Sequence, residues 1–212
     1  MFPCTLRISL NVKICGLRNK DNISEIATLQ PEYVGFIFYP PSPRYVGDDF
    51  VAPDLKGIQK VGVFVNASKE EVSEKSIKND LDLIQLHGQE SSEYCRNLTR
   101  KGLTLVKAFG VNENFLFEQV KPYTEVCRYF LFDTKTTVQG GSGKKFNWNK
   151  LSEYDLKKKI FLSGGIGPED AETIHTLSHP QLFAIDLNSR FEIRPGMKSI
   201  DNLDIFIKKI RS

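Results

Sequence analysis

The chain has 212 residues, 40% of them apolar and 26% charged, enough to bury a full core as one large domain or two small ones. A formal net charge of +3, with basic residues scattered rather than striped among aromatics, leaves no electrostatic case for a nucleic-acid partner. No apolar run approaches the roughly eighteen residues of a membrane span, and the opening MFPCTLRISLNV lacks the features of a secretory leader, so a soluble, cytoplasmic protein with no membrane partner is expected.

The first element in chain order is LNVKIC, residues 10–15, where Cys15 is either packing material or a reagent. Cys4, Cys15, Cys95 and Cys127 form no CxxC pair and read as free thiols of a reducing compartment. Seven further runs rich in Val, Ile, Phe and Leu follow, YVGFIF, KVGVFV, LDLIQL, LTLVKAF, YFLFDT, KIFLSG and FAIDL, and each reads as a strand. With centres at Val12, Gly35, Gly62, Ile84, Val106, Leu131, Phe161 and Ile185, the steps are 23, 27, 22, 22, 25, 30 and 24 residues. Each step accommodates one strand, one helix and two loops.

Helix signals stand in the intervals. Ser68, three residues before Glu71, offers a capping box, and Pro168 suits a helix start, where its missing N–H costs nothing. Ser199 opens IDNLDIFIKKI, whose Ile200, Leu203, Phe206, Ile207 and Ile210 share one face. The KKK run at 157–159 reads as a solvated helix end. Eight strand–helix units, with strands apolar on both faces, predict an α/β fold: a single-domain (β/α)8 TIM barrel over residues 1–212. The competitor, a doubly wound open sheet, needs a G-x-G-x-x-G turn after the first strand, and CGLRNK has one glycine.

Alternation along a strand places Lys13 and Cys15 on one face, and a lysine is not expected to face the dry helix layer, so both should point into the barrel. The same parity puts Asp186 inward on the eighth strand, next to the first in a closed barrel. An ion pair between Lys13 and Asp186 is expected, because an unpaired buried charge is too costly to keep. It serves either as a polar plug or as part of the site. Arg44, Asn66, Gln85, His87 and Asp133 stand at other strand ends, so a cation, an imidazole, a thiol and a carboxylate converge on one rim, which suits acid–base chemistry on an anionic substrate. In SGGIGPED, Gly164 and Gly165 precede a helix start; with Asn188 and Ser189 after the eighth strand they form a candidate phosphate station.

Three motifs point elsewhere. QGGSGKK misses a P-loop, having Val138 where the first glycine and Lys145 where Ser or Thr should be; it reads as a flexible loop able to close over substrate. His175 and His179 have zinc-like spacing but no third ligand, so no metal is expected. Lys107, if turned inward, would suggest a Schiff-base, aldolase-like barrel. A barrel that merely senses a sugar phosphate is the non-enzymatic alternative, against which the joint presence of Cys15 and Asp133 argues.

The segments KICGL, GFIFYPPSPRYV, VGVFVN, IQLHG, LFDT with GGSGKKFNW, LSGGI and PGMKS stand in the order in which they occur in the phosphoribosylanthranilate isomerase family, which the chain resembles over nearly its whole length. The resemblance implies a (β/α)8 barrel of tryptophan biosynthesis that needs no cofactor or metal and performs an Amadori rearrangement of N-(5-phosphoribosyl)anthranilate. It implies Asp133 as general acid, Cys15 as general base, and Arg44 at the anthranilate end, with His87 and Gln85 at rim positions of open role. Catalysis then requires the Cys15 thiol to be acidified, with Lys13 contributing, and Asp133 to be held protonated, as the apolar FLFDT setting would favour. The only partner expected is the phosphorylated small molecule, bound by a monomer in preference to a homodimer. DLNSRFE departs from the family's usual Asp-Val-Ser-Ser-Gly-Val-Glu, and Arg190 in place of that glycine would be strained if a positive φ were needed there; exposure is the favoured role for its side chain.

Overall fold

The computed structural model describes residues 10–134, 145–177 and 179–212. Cys4 and the QGGSG part of the expected substrate-covering loop lie outside the described residues. Eight parallel strands close into a barrel in chain order: β1 (Asn11–Ile14), β2 (Tyr33–Ile37), β3 (Gln59–Phe64), β4 (Leu83–Leu86), β5 (Leu105–Val111), β6 (Tyr129–Thr134), β7 (Ile160–Leu162) and β8 (Leu182–Leu187), with β8 pairing back to β1.

Strand alternation separates two apolar layers. Tyr33, Val61, Leu83, Val106, Leu131, Phe161 and Ala184 fill the barrel interior. Their neighbours Val34, Ile84, Leu105, Phe130, Phe132, Ile160 and Ile185 belong to the larger cluster between barrel and helices. Both strand faces are therefore dry, as a parallel barrel requires.

Among the described residues the α-helices are α1 (Lys20–Thr28), α2 (Lys69–Asn79), α3 (Ser92–Arg100), α4 (Ala171–Thr176) and α5 (Ile200–Arg211). Ser68 caps α2 by accepting from Glu71 N at 3.0 Å, and α5 buries Leu203, Phe206, Ile207 and Ile210 behind its cap Ser199. The expected strict alternation does not hold. Among the described residues the segment after β2 carries no helix, and the helical turns after β5 and β6 are 3-10, at Phe117–Tyr123 and Trp148–Glu153. Pro40, Pro41, Pro43 and Pro53 crowd the first of these segments and Pro122 interrupts the second, each removing a backbone donor that a helix would use. Lys157–Lys159 accordingly lies in the approach to β7 rather than at a helix end.

A short antiparallel hairpin that sequence reading missed, β9 (Glu192–Arg194) with β10 (Met197–Lys198), lies at the carboxyl end of β8, tied to Asn22 of α1 and to Asn188. The Pro195–Gly196 step, with Gly196 at φ +79°, is the signal that was available for it.

Candidate active site

The inward ion pair predicted from parity is present. Lys13 Nζ lies 2.8 Å from Asp186 Oδ1 across the β1–β8 register, with the two side chains 1% and 5% exposed. Ser163 Oγ donates to the other carboxylate oxygen at 3.3 Å. One residue beyond β1, Cys15 donates its backbone N–H to Leu187 O and is buried, with Lys13 close enough to act on the thiol. Gly35 on β2 leaves room for it: a methyl group there would sit 2.6 Å from the sulfur.

Burial dominates the thiol and pushes its pKa up; Lys13 and Lys198 oppose that rise, and Asp186 reinforces it. The expectation of an acidified thiol is thus corrected. Two nearby ammonium groups, one paired with Asp186 and the other with Glu192, do not outweigh the loss of water around a thiolate. Burial also works against the charged form of Lys13, but the attraction of Asp186 and Cys15 leaves its pKa raised overall.

Arg44 reaches the same side. Its Nη2 and Nε donate to Glu192 at 2.7 and 2.9 Å, and Lys198 Nζ shares that carboxylate at 2.7 Å while also donating to Asn188 Oδ1 at 2.7 Å. Burial disfavours the Glu192 anion, but Arg44, Lys198 and the Gly196 N–H bring its pKa below the usual carboxylate range. Neither Glu192 nor Lys198 was singled out from sequence, although Lys198 stands in PGMKS. Nothing in a linear pattern marks a surface-type residue that a hairpin will bury.

The opposite side of the mouth carries Asp133, facing inward at the end of β6. Its Oδ2 lies 3.2 Å from His87 Nε2, and its Oδ1 accepts from Thr134 N at 2.8 Å. Gln85 Nε2 lies 3.1 Å from His87 Nδ1, so the two side chains hold one another beside Asp133. The expectation of an apolar setting for Asp133 fails on geometry. Phe130 and Phe132 point outward into the helix layer, so its neighbours in space are an imidazole and a backbone amide, and its side chain is 23% exposed. His87 and Asp133 line a cleft of about 600 Å³.

Lys107 does not turn inward. Val106 and Ala108 hold the interior positions, and Lys107 Nζ binds the carbonyls of Leu86, Gly88 and Ala108 and the Glu90 carboxylate at 3.1 Å. The Schiff-base reading loses its nucleophile. The premise that lysines avoid the helix side also fails here, because four oxygens replace the ammonium's water. Asn66 takes a left-handed turn conformation and is tied to Glu90 through its backbone N–H, which makes it a loop organiser.

At the candidate phosphate station Gly164 and Gly165 adopt φ of +91° and +70°, and a methyl group on Gly164 would lie 2.8 Å from Asp133 Oδ1. Pro168 opens the 3-10 turn before α4, and the Gly167 N–H is taken by Asp170. Ser189 and Arg190 lie in a 3-10 turn after β8, and Arg190 is absent from the positive-φ positions, so the expected strain does not arise. Its exposed guanidinium pairs with Glu169 at 2.9 Å. His175 and His179 bind the separate carbonyls of Lys209 and Tyr154, and no metal-holding group of three or more His, Cys, Asp or Glu exists among the described residues.

Residues 12–209 match the family model of N-(5'-phosphoribosyl)anthranilate isomerase. The isomerase of Parabacteroides distasonis is 46% identical over 204 residues, covering 94% of this chain and 92% of that one. The crystal structure of the Thermotoga maritima isomerase superposes with a TM-score of 0.81 at 33% identity, over 95% of this chain and 98% of the other. Another isomerase structure, in complex with reduced 1-(o-carboxyphenylamino)-1-deoxyribulose 5-phosphate, superposes with a TM-score of 0.78 at 31% identity, over the same shares. A closed eightfold barrel, the inward thiol and carboxyl at its mouth, and a match over almost the whole length together place this chain in the N-(5'-phosphoribosyl)anthranilate isomerase family.

Proposed function

We propose that the chain catalyses the Amadori rearrangement of N-(5-phosphoribosyl)anthranilate to 1-(2-carboxyphenylamino)-1-deoxyribulose 5-phosphate in tryptophan biosynthesis, with Asp133 as general acid and Cys15 as general base. Asp133 gives a proton to the ribose ring oxygen, and the C1′–O bond breaks as the anilino nitrogen forms a protonated Schiff base. The Cys15 thiolate then removes the C2′ proton. The released electron pair forms the C1′–C2′ double bond and neutralises the nitrogen, and the enolamine tautomerises to the ketone. No cofactor enters these steps.

The observation that carries this reading is the continuity of the mouth. Cys15 adjoins Lys13, which pairs with Asp186; Asp186 accepts from Ser163, and the next residue, Gly164, lies against Asp133. His87 and Gln85 hold the Asp133 carboxyl, and Arg44 serves the anthranilate end through donors that Glu192 leaves free. Gly164, Gly165, Ser189 and the Asn188 amide N–H2 receive the phosphate, whose competitor in a binding assay is inorganic phosphate. Among the described residues the large exposed apolar side chains Val51, Ile77, Leu116, Ile193 and Ile205 come from separate segments of the chain, in keeping with a monomer, testable by light scattering. The free Cys15, Cys95 and Cys127 suit the reducing cytoplasm.

The test is loss of anthranilate-type fluorescence when enzyme is added to freshly made phosphoribosylanthranilate. Cys15→Ser and Asp133→Asn should each slow turnover by about 10²- to 10⁴-fold while substrate still binds, the usual size of an acid–base contribution. A rate near wild type in either variant removes that residue from the mechanism.

A further inference from the structure

We propose that Lys198 is a positioning residue for Cys15: its buried ammonium, held beside the Cys15–Gly16 turn by Asn188 and Glu192, stabilises the thiolate, and Glu192 limits that effect by dividing its charge between Lys198 and Arg44. The inference rests on Cys15 being the base.

Placement comes first. The Lys198 backbone is clamped by Asn22 of α1, which accepts from its N–H at 2.8 Å and donates to its carbonyl at 3.1 Å. Its side chain is 0% exposed and ends on Asn188 Oδ1 and Glu192 Oε1. That same Asn188 oxygen lies 2.7 Å from where a Gly16 side chain would begin, as does Arg44 Cδ. The ammonium is therefore linked through Asn188 to the turn that carries the thiol.

Charge comes second. The buried ionisable groups on this side are Lys13 of β1, Asp186 of β8, Arg44 of the β2–β3 segment, and Glu192 and Lys198 of the hairpin; Arg18, against Gly196, is exposed and donates to Pro43 O, and β2 places Gly35 beside the sulfur. Three cations and two carboxylates leave one surplus positive charge in a region almost closed to water. A charge left uncompensated in such a place is costly, and a thiolate at Cys15 would complete the count. His87 and Asp133 form their own pair across the mouth. Burial pulls Lys198's own pKa down, and Glu192 and Cys15 act to keep it charged, as expected if the two charges support one another.

The experiment follows Cys15 alkylation by iodoacetamide against pH, localised by peptide mass spectrometry, alongside the pH profile of kcat/KM. Lys198→Met should move both profiles to higher pH and slow alkylation at pH 7 by about tenfold, the change for a one-unit move of the thiol. Lys198→Arg should restore most of it. Glu192→Gln should move the profiles the other way, and decides the matter if Lys198→Met does not fold. Unmoved profiles in the variants that fold overturn the inference, as does a rise in KM alone, which would assign the surplus charge to the substrate carboxylate. Loss of turnover in Cys15→Ser with unmoved alkylation in Lys198→Met sinks only the role of Lys198; retained turnover in Cys15→Ser sinks the base assignment itself.

Discussion

The two sides of the barrel mouth solve different problems with similar residues. Around Cys15 the buried charged groups are tied to other side chains: Lys13 to Asp186, and Arg44 and Lys198 to Glu192. Around Asp133 the reacting carboxyl and its partner His87 are 23% and 30% exposed, and the buried pair beneath them, Lys107 with Glu90, is tied mainly to backbone. A thiol that must lose its proton gains from fixed charges in a region of low dielectric, where their effect is large. A carboxyl that must be reprotonated every turnover gains from contact with water.

Three changes test that contrast, in falling order of effect. Lys13→Met leaves Asp186 buried with only Ser163 and should cost about 3–5 kcal/mol in urea unfolding, as breaking a buried pair does. Lys107→Met should cost less, about 1–3 kcal/mol, because Glu90 keeps the Asn66 and Gly88 backbone donors. The reverse order would break the comparison. Gly35→Ala sharpens it: the new methyl meets the sulfur of Cys15, so about 1–3 kcal/mol of overpacking should come with a loss of turnover while the His87 imidazole resonances stay in place.

The smallest effect is on the acid side of the stability curve. The folded pKa of Glu192 lies below its unfolded value near 4.5, so its contribution is fully present above that pH and is lost as pH falls through the lower folded value. Glu192→Gln should make stability fall less steeply below pH 4.5, measured by urea unfolding across a pH series. An unchanged slope would show that Arg44 and Lys198 do not act on that carboxylate.

Much of this was legible beforehand. Apolar runs at near-constant spacing announce parallel strands because each unit must span the barrel and return over it, and period-two alternation was enough to pair Lys13 with Asp186. The same rule misjudged Lys107, since parity tells which way a side chain leaves the strand but not whether oxygens await it there. Asp133 was misread for a related reason: Phe130 and Phe132 adjoin it in sequence and face away from it in space. The hairpin that buries Lys198 was signalled only by Pro195–Gly196, and nothing local shows that β9 and β10 fold against α1 and the turn after β8.

By itself, then, the sequence determined the eightfold barrel, the family, and which strand ends carry the thiol, the carboxyl and the glycine turn, because these follow from periodicity and order along the chain. The state of those groups was decided by tertiary structure alone. Whether a thiol is easy or hard to ionise depends on the water it loses and on charges brought from β8 and the terminal hairpin, and those distances exist only once the barrel has closed.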